Sequence, residues 1–222
     1  MKKLSKLTSI ILSLVLAIQI SLGVTCMNVE AQASVATVWV VSCTDGLGHA
    51  FLVVENTSSE NIMVGKYQLA AGQICSVGTF GNLKDGKCLY YNAEKYCIIN
   101  KYRPFTPNVA LHEDITDSTL ATLSNTIISN TSWATLSNCS TFAEKCWNSF
   151  SSRKLSAGWI DTPAGLSNSI KKNSGYESNF SISGSCSQDE VKYQSSKDAP
   201  AAQCCSGTFS VLESFGSSSS VS

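Results

Sequence analysis

Hydrophobic and polar positions follow three different patterns along this chain. Residues 7–24 form one apolar run diluted by scattered serines, Gln19 and Gly23. From Thr37 onward, short stretches rich in Val, Trp and Phe are separated by polar turn clusters, which is a strand pattern. Thr37–Ser42 and His49–Glu55 predict two strands across the turn Thr44-Asp45-Gly46-Leu47-Gly48. The polar cluster Asn56–Asn61 then leads to a third, Ile62–Leu69, which contains Gly65. Further β structure is expected over Gln73–Phe80 and Cys88–Ile99, until Arg103-Pro104 and Thr106-Pro107 break it.

From Ile115 the period becomes helical. Asp117 or Ser118 can cap a helix whose apolar residues Leu120, Leu123, Ile127 and Ile128 share one face. A second helix starts at Ser137 or Asn138 and buries Phe142, Ala143, Cys146, Trp147 and Phe150. Thr162-Pro163 is a cap and first-turn pair for a third, running through Leu166 and Ile170. Strands followed by helices predict an α+β domain over residues 34–173, an antiparallel sheet packed against a few helices. Beyond Asn173 the chain turns Ser- and Gly-rich, so residues 174–222 are expected to be a Cys-containing tail, much of it loop.

Charge excludes some functions. Only 14% of the 222 residues are charged, and 16 Lys+Arg balance 16 Asp+Glu. No basic surface for nucleic acid is implied, and no acidic disordered tail. The N-terminus changes the compartment. Lys2, Lys3 and Lys6 precede the apolar run, and Ala31-Gln32-Ala33 follows it. That order predicts a secretory signal peptide over residues 1–33, and hence a secreted, extracellular protein with no stable membrane insertion after cleavage. Cleavage leaves 13 basic and 15 acidic residues. It also removes one of ten cysteines, Cys26, and leaves nine. An odd count in an exported chain leaves at least one thiol unpaired or paired outside the molecule.

Cys139 is the thiol with a reason to be reactive. In Ser137-Asn138-Cys139-Ser140-Thr141-Phe142, Asn138 is a good N-cap, which places Cys139 in the first helical turn. Unpaired N–H groups and the positive end of the helix dipole favour a thiolate there. A thiol nucleophile needs a base to relay its proton. His49 and His112 are the two histidines; His49 opens an apolar strand and so has the more rigid mount. Each residue also has an ordinary reading: Cys139 as one more structural cysteine, bridged to Cys204 or Cys205, and His49 as a strand-end histidine with local hydrogen bonds.

Together, the strand histidine in Gly48–Asn56 and the later Asn-Cys-x-x-Phe helix start in Asn138–Trp147 resemble the circularly permuted papain-like superfamily. That group is related to NlpC-type cell-wall peptidases and includes the lecithin:retinol acyltransferase-like proteins. In its permuted members the histidine strand precedes the cysteine helix, as here. The resemblance covers residues 36–173 and implies a permuted papain-like fold with Cys139 as nucleophile and His49 as base. A third, polar residue beside the histidine would orient its ring. If Thr57–Glu60 is a hairpin loop, position 49 falls opposite Gln68; a loop one residue different presents Tyr67 or Leu69. Asn92 and Glu94 are a second polar pair that could line the cleft and bind substrate.

With Cys139 spared, eight cysteines remain for disulfide staples. Cys88 and Cys97 are symmetric about Asn92-Ala93, so a tight hairpin there would bring them to bridging distance. No cofactor is expected, and no zinc, because no Cys-x-x-Cys pair has a matching second pair. The expected function is a secreted cysteine hydrolase that cleaves an amide bond in a peptide or in peptidoglycan through an acyl-thioester. The alternatives are an acyltransferase or thioesterase at the same site, and a non-enzymatic, disulfide-rich binding protein.

Overall fold

Two consecutive strands are apolar on both faces, which is the signature of a sheet covered on both sides. They are β1 (Ser34–Cys43) and β2 (His49–Asn56), paired antiparallel from Ala36 with Asn56 to Cys43 with His49. In the computed structural model, which describes residues 32–215, they lie at the centre of an eight-stranded sheet. The other members are β5 (Ile74–Phe80), β6 (Cys88–Tyr91), β7 (Asn108–Thr116), β8 (Glu177–Ser178), β9 (Lys192–Gln194) and β10 (Ala202–Gln203). Strand order is β10-β9-β6-β5-β2-β1-β7-β8, with every pairing antiparallel. β3 (Ile62–Val64) and β4 (Tyr67–Leu69) form a separate two-stranded sheet.

Helices cover both faces. Val38 and Val40 of β1 and Leu52 and Val54 of β2 share a core with α2 (Asp117–Ser129), α3 (Cys139–Phe150) and α4 (Pro163–Ile170). The alternate residues Val41, Phe51 and Val53 belong to a second core with α1 (Ala93–Ile99) and α5 (Ser206–Ser214). The period of two along one strand thus sorts neighbouring residues between two cores. The protein is mixed α+β, with a large antiparallel sheet and five α-helices among the described residues.

Several expectations need correction. Cys88–Ile99 is not continuous β structure: Asn92 adopts a left-handed conformation (φ 63°) and starts α1. Cys88 therefore lies on a strand and Cys97 inside a helix, and the hairpin that would bridge them does not exist. All nine described cysteines are unbridged thiols, so the expected disulfide staples are absent from this structure. The Arg103–Pro107 break is real, but it is followed by β7, a nine-residue strand. Residues after Asn173 are not a separate tail. They add β8 at one edge of the sheet and β9 and β10 at the other, and place Ile182, Val191, Phe209 and Leu212 in the second core. The expected signal peptide and the serine run Ser217–Ser220 lie outside the described residues. No helix among the described residues is long and apolar enough to cross a membrane.

Candidate active site

Cys139 is the first residue of α3, and its position follows from one side chain. Asn138 Oδ1 accepts hydrogen bonds from the N–H groups of Ser140 (2.8 Å) and Thr141 (3.4 Å). Thr141 Oγ1 accepts in return from the Asn138 N–H at 3.2 Å, completing a capping box. The cap is anchored from outside as well. Asn138 Nδ2 donates to the Asp161 carbonyl at 2.7 Å, and Thr141 Oγ1 donates to Asp161 Oδ2 at 2.6 Å. The sulfur is thereby fixed at the N-terminal end of the helix, and Cys139 is only 8% exposed.

His49 is fixed by the strand it opens and by the glycine before it. Gly48 has φ +74°, and a Cβ there would lie 2.8 Å from the Pro163 ring, so only glycine fits this turn into β2. The imidazole packs at 4.4 Å from Phe80 and 5.4 Å from Phe105, centroid to centroid, and 5.7 Å from Phe51. Its Nε2 lies 2.8 Å from Glu94 Oε1, which leaves Nδ1 for the thiol.

Glu94 stands in the first turn of α1 and is fully buried. Its second oxygen accepts from Ser76 Oγ at 2.9 Å, and Ser76 Oγ in turn accepts from the Lys95 N–H at 3.0 Å. Room for the carboxylate comes from Gly78 on β5, where a Cβ would sit 2.0 Å from Glu94 Oε1. Both oxygens are therefore committed, one to the imidazole and one to the hydroxyl that also holds the start of the helix.

These contacts set the protonation of the pair. Burial alone would push His49 down. The Cys139 charge and hydrogen bond, with the Glu94 hydrogen bond and charge, outweigh it and raise the imidazole to about 9. Burial likewise opposes a thiolate at Cys139. The His49 charge and hydrogen bond, the Ala50 backbone N–H and the Ser140 side chain outweigh it and lower the thiol below its ordinary value. In contrast, burial pushes up Cys43, Cys75, Cys88, Cys97, Cys146, Cys186 and Cys204. The contacts between Cys139 and His49 thus favour the thiolate–imidazolium form of the pair, with Glu94 behind the imidazole.

The pair opens into a cleft of about 380 Å³. Its walls include Leu47, Phe80, Trp133, Pro163 and Phe215, with Asn82, Asn138 and Arg103 as polar members. Among the described residues, no group of three His, Cys, Asp or Glu side chains could hold a metal ion.

Of the residues singled out from the sequence, the structure brings together Cys139, His49 and Glu94. It does not bring in Gln68. That residue is exposed on β4 opposite Met63, because β5, not Ile62–Leu69, occupies the edge of β2. Nor does Asn92 line the cleft. It is buried, accepts from the Ser76 N–H, and donates to Tyr67 Oη at 2.9 Å and to the Glu190 carbonyl at 3.0 Å. Glu94 is fully buried behind the histidine, in contact with its Nε2, and does not line the cleft either. A helix-start signal was available for it: Asn92 as N-cap with an acid in the first turn. His112 is on β7, exposed and paired with Glu177 at 2.9 Å.

In comparisons with known proteins, the chain matches no family model, no curated protein and no solved structure. The chemistry open to this site therefore follows from its own geometry. A thiol drawn toward its thiolate form at a helix N-terminus, a histidine held by a buried glutamate and an adjoining cleft can together attack a carbonyl and return a proton to its leaving group.

Proposed function

We propose that this protein is an exported cysteine hydrolase of the permuted papain-like kind, cleaving an amide bond in a peptide or in peptidoglycan. The observation that carries the reading is the buried Cys139–His49–Glu94 arrangement, with a thiol drawn below its ordinary pKa facing a cleft. Its chain order, histidine strand before cysteine helix, supports the permuted assignment. The signal-like N-terminus supports export.

In this mechanism the Cys139 sulfur attacks the carbonyl carbon and a C–S bond forms. The developing oxyanion accepts from the Cys139 backbone N–H, a first-turn donor with no partner inside the helix. The C–N bond then breaks as the His49 imidazolium gives its proton to the leaving amine. Water hydrolyses the thioester, with His49 now neutral and taking the proton of the attacking water. Glu94 keeps Nε2–H pointed inward throughout, so that Nδ1 faces the sulfur.

Alkylation tests this against a merely structural cysteine. Cys205 is the exposed thiol among the described residues, while Cys139 is buried. If accessibility decided, iodoacetamide would label Cys205 first. The expected result near neutral pH is preferential labelling of Cys139, mapped by mass spectrometry on the native protein. Labelling led by Cys205, with Cys139 spared, would refute the reading and favour a binding protein.

A further inference from the structure

The cleft contains one cation besides the histidine. Arg103 is half-buried, and its guanidinium lies 4.6 Å from the centroid of Phe105 and 5.6 Å from that of Phe215. Both rings lie within cation–π distance, which restricts the guanidinium and displaces part of its water. Among the described residues the guanidinium makes one hydrogen bond, a long one, 3.4 Å from Nη2 to the Asp45 carbonyl. Guanidinium has five N–H donors, so most of them have no acceptor among the described residues. No carboxylate among the described residues forms an ion pair with Arg103, whereas Lys95 pairs with Glu190 and Arg153 with Glu113. The lining residues of this cleft include no Asp or Glu at all.

An oriented, partly desolvated guanidinium without a counter-ion, in the same cleft as a nucleophile, is matched to a planar anion. We infer that Arg103 is a specificity-determining residue which binds a carboxylate carried by the substrate, the remainder of which lies against the apolar walls formed by Phe80 and Trp133. The inference rests on the hydrolase reading and narrows its substrates to acyl compounds or amides bearing a carboxylate. The carboxylate can belong to the acyl portion or to the leaving group, and two pairs of probes separate these.

For the acyl side, mono-4-nitrophenyl glutarate is compared with its methyl ester. For the leaving side, the acetate ester of 5-hydroxy-2-nitrobenzoate is compared with 4-nitrophenyl acetate. In each case the Cys139 sulfur forms the C–S bond and the nitrophenolate leaves, which gives the signal. The wild-type protein is expected to acylate the anionic member of one pair about tenfold faster than its neutral partner, the size of one charge-assisted hydrogen bond. In Arg103→Gln that ratio falls to near one, and in Arg103→Lys part of it survives. Each ratio is taken within a single protein preparation, so a smaller folded fraction cancels. Absence of an anion preference in both pairs, or a preference that survives Arg103→Gln, overturns the inference. Iodoacetamide labelling of the same preparations keeps the two readings apart. Labelled Cys139 without an anion preference removes the Arg103 subsite alone, while unreactive Cys139 removes the hydrolase and the subsite together.

Discussion

Glu94 has no contact with water, yet it governs how the site responds to pH. It touches His49 Nε2 and Ser76 Oγ and contributes both a hydrogen bond and a charge to holding the imidazolium. The proposed mechanism requires the thiolate and the imidazolium together. As pH falls through the lowered value of Cys139, the sulfur is protonated and the nucleophile is lost. As pH rises through about 9, His49 loses the proton that the leaving amine must receive. The expected profile is a bell with its alkaline limb near 9. Glu94→Gln keeps an acceptor oxygen at 2.8 Å but removes the charge. Its alkaline limb should move toward lower pH, with a loss of about tenfold or more at the optimum, in line with losses on changing outer-shell partners of a histidine. Ester-hydrolysis rates from pH 5 to 10 measure this. An unmoved limb would show that Glu94 does not set the His49 proton.

Among the elements, α3 carries the most consequence per residue, because one cap both starts the helix and aims the nucleophile. Asn138→Ala loses the acceptor for two N–H groups and the donor to Asp161. A cost of about 1–2 kcal/mol is expected, or a fall in Tm of about 2–8 °C. Asn138→Asp separates the two roles. Its carboxylate still caps and suits the helix dipole, but a negative charge beside the sulfur disfavours the thiolate. That variant should melt near the wild-type temperature and alkylate more slowly at Cys139; thermal melts and labelling rates on the same samples decide it. This cap was readable in the sequence because capping is local, and so were β1, β2 and the Thr162-Pro163 start of α4. What resisted reading was set by distant partners. The prolines before β7 suggested an end to the β structure, but the strand is held by β1, with Thr37 Oγ1 donating to Asp114 at 2.6 Å. Gln68 was placed by assuming that Ile62–Leu69 neighbours β2, a matter of sheet order and not of residue type. Glu94 was noticed, but in a supposed strand, since the left-handed Asn92 that starts its helix sits among residues with strong β preference.

For the whole molecule, the consequential question is whether the chain after Asn173 can be dispensed with, as its Ser-rich composition suggests. The structure makes it the outer layer of the second core. β8 covers one edge of the sheet through Val109 and Ala110, and β9 covers the other through Leu89, Tyr90 and Tyr91. α5 sets Phe209 5.7 Å from the Tyr96 ring of α1 and buries Leu212, while Asp85 accepts from the Cys205 N–H at 2.9 Å. Glu190 pairs with Lys95, the neighbour of Glu94, at 3.2 Å. Removing this layer would bare both sheet edges to association and uncover the face of α1 opposite the carboxylate that holds His49. It would also remove Phe215 from beside Arg103. A chain ending at Asn173 is therefore expected to lose cooperative melting, to self-associate on gel filtration, and to lose the preference of iodoacetamide for Cys139 over the other thiols. A truncated protein that stays monomeric and melts with the full-length transition would mean that residues 34–173 form a self-sufficient domain. If it also kept selective labelling at Cys139, the support of α1 by α5 and Glu190 would be irrelevant to the site. Partial truncation discriminates further. Ending the chain after Gln194 keeps β8, β9 and the Lys95–Glu190 pair but removes α5 and Phe215. Retained labelling of Cys139 with a reduced melting temperature in that variant would assign α5 to stability and the 174–194 segment to the geometry of the site.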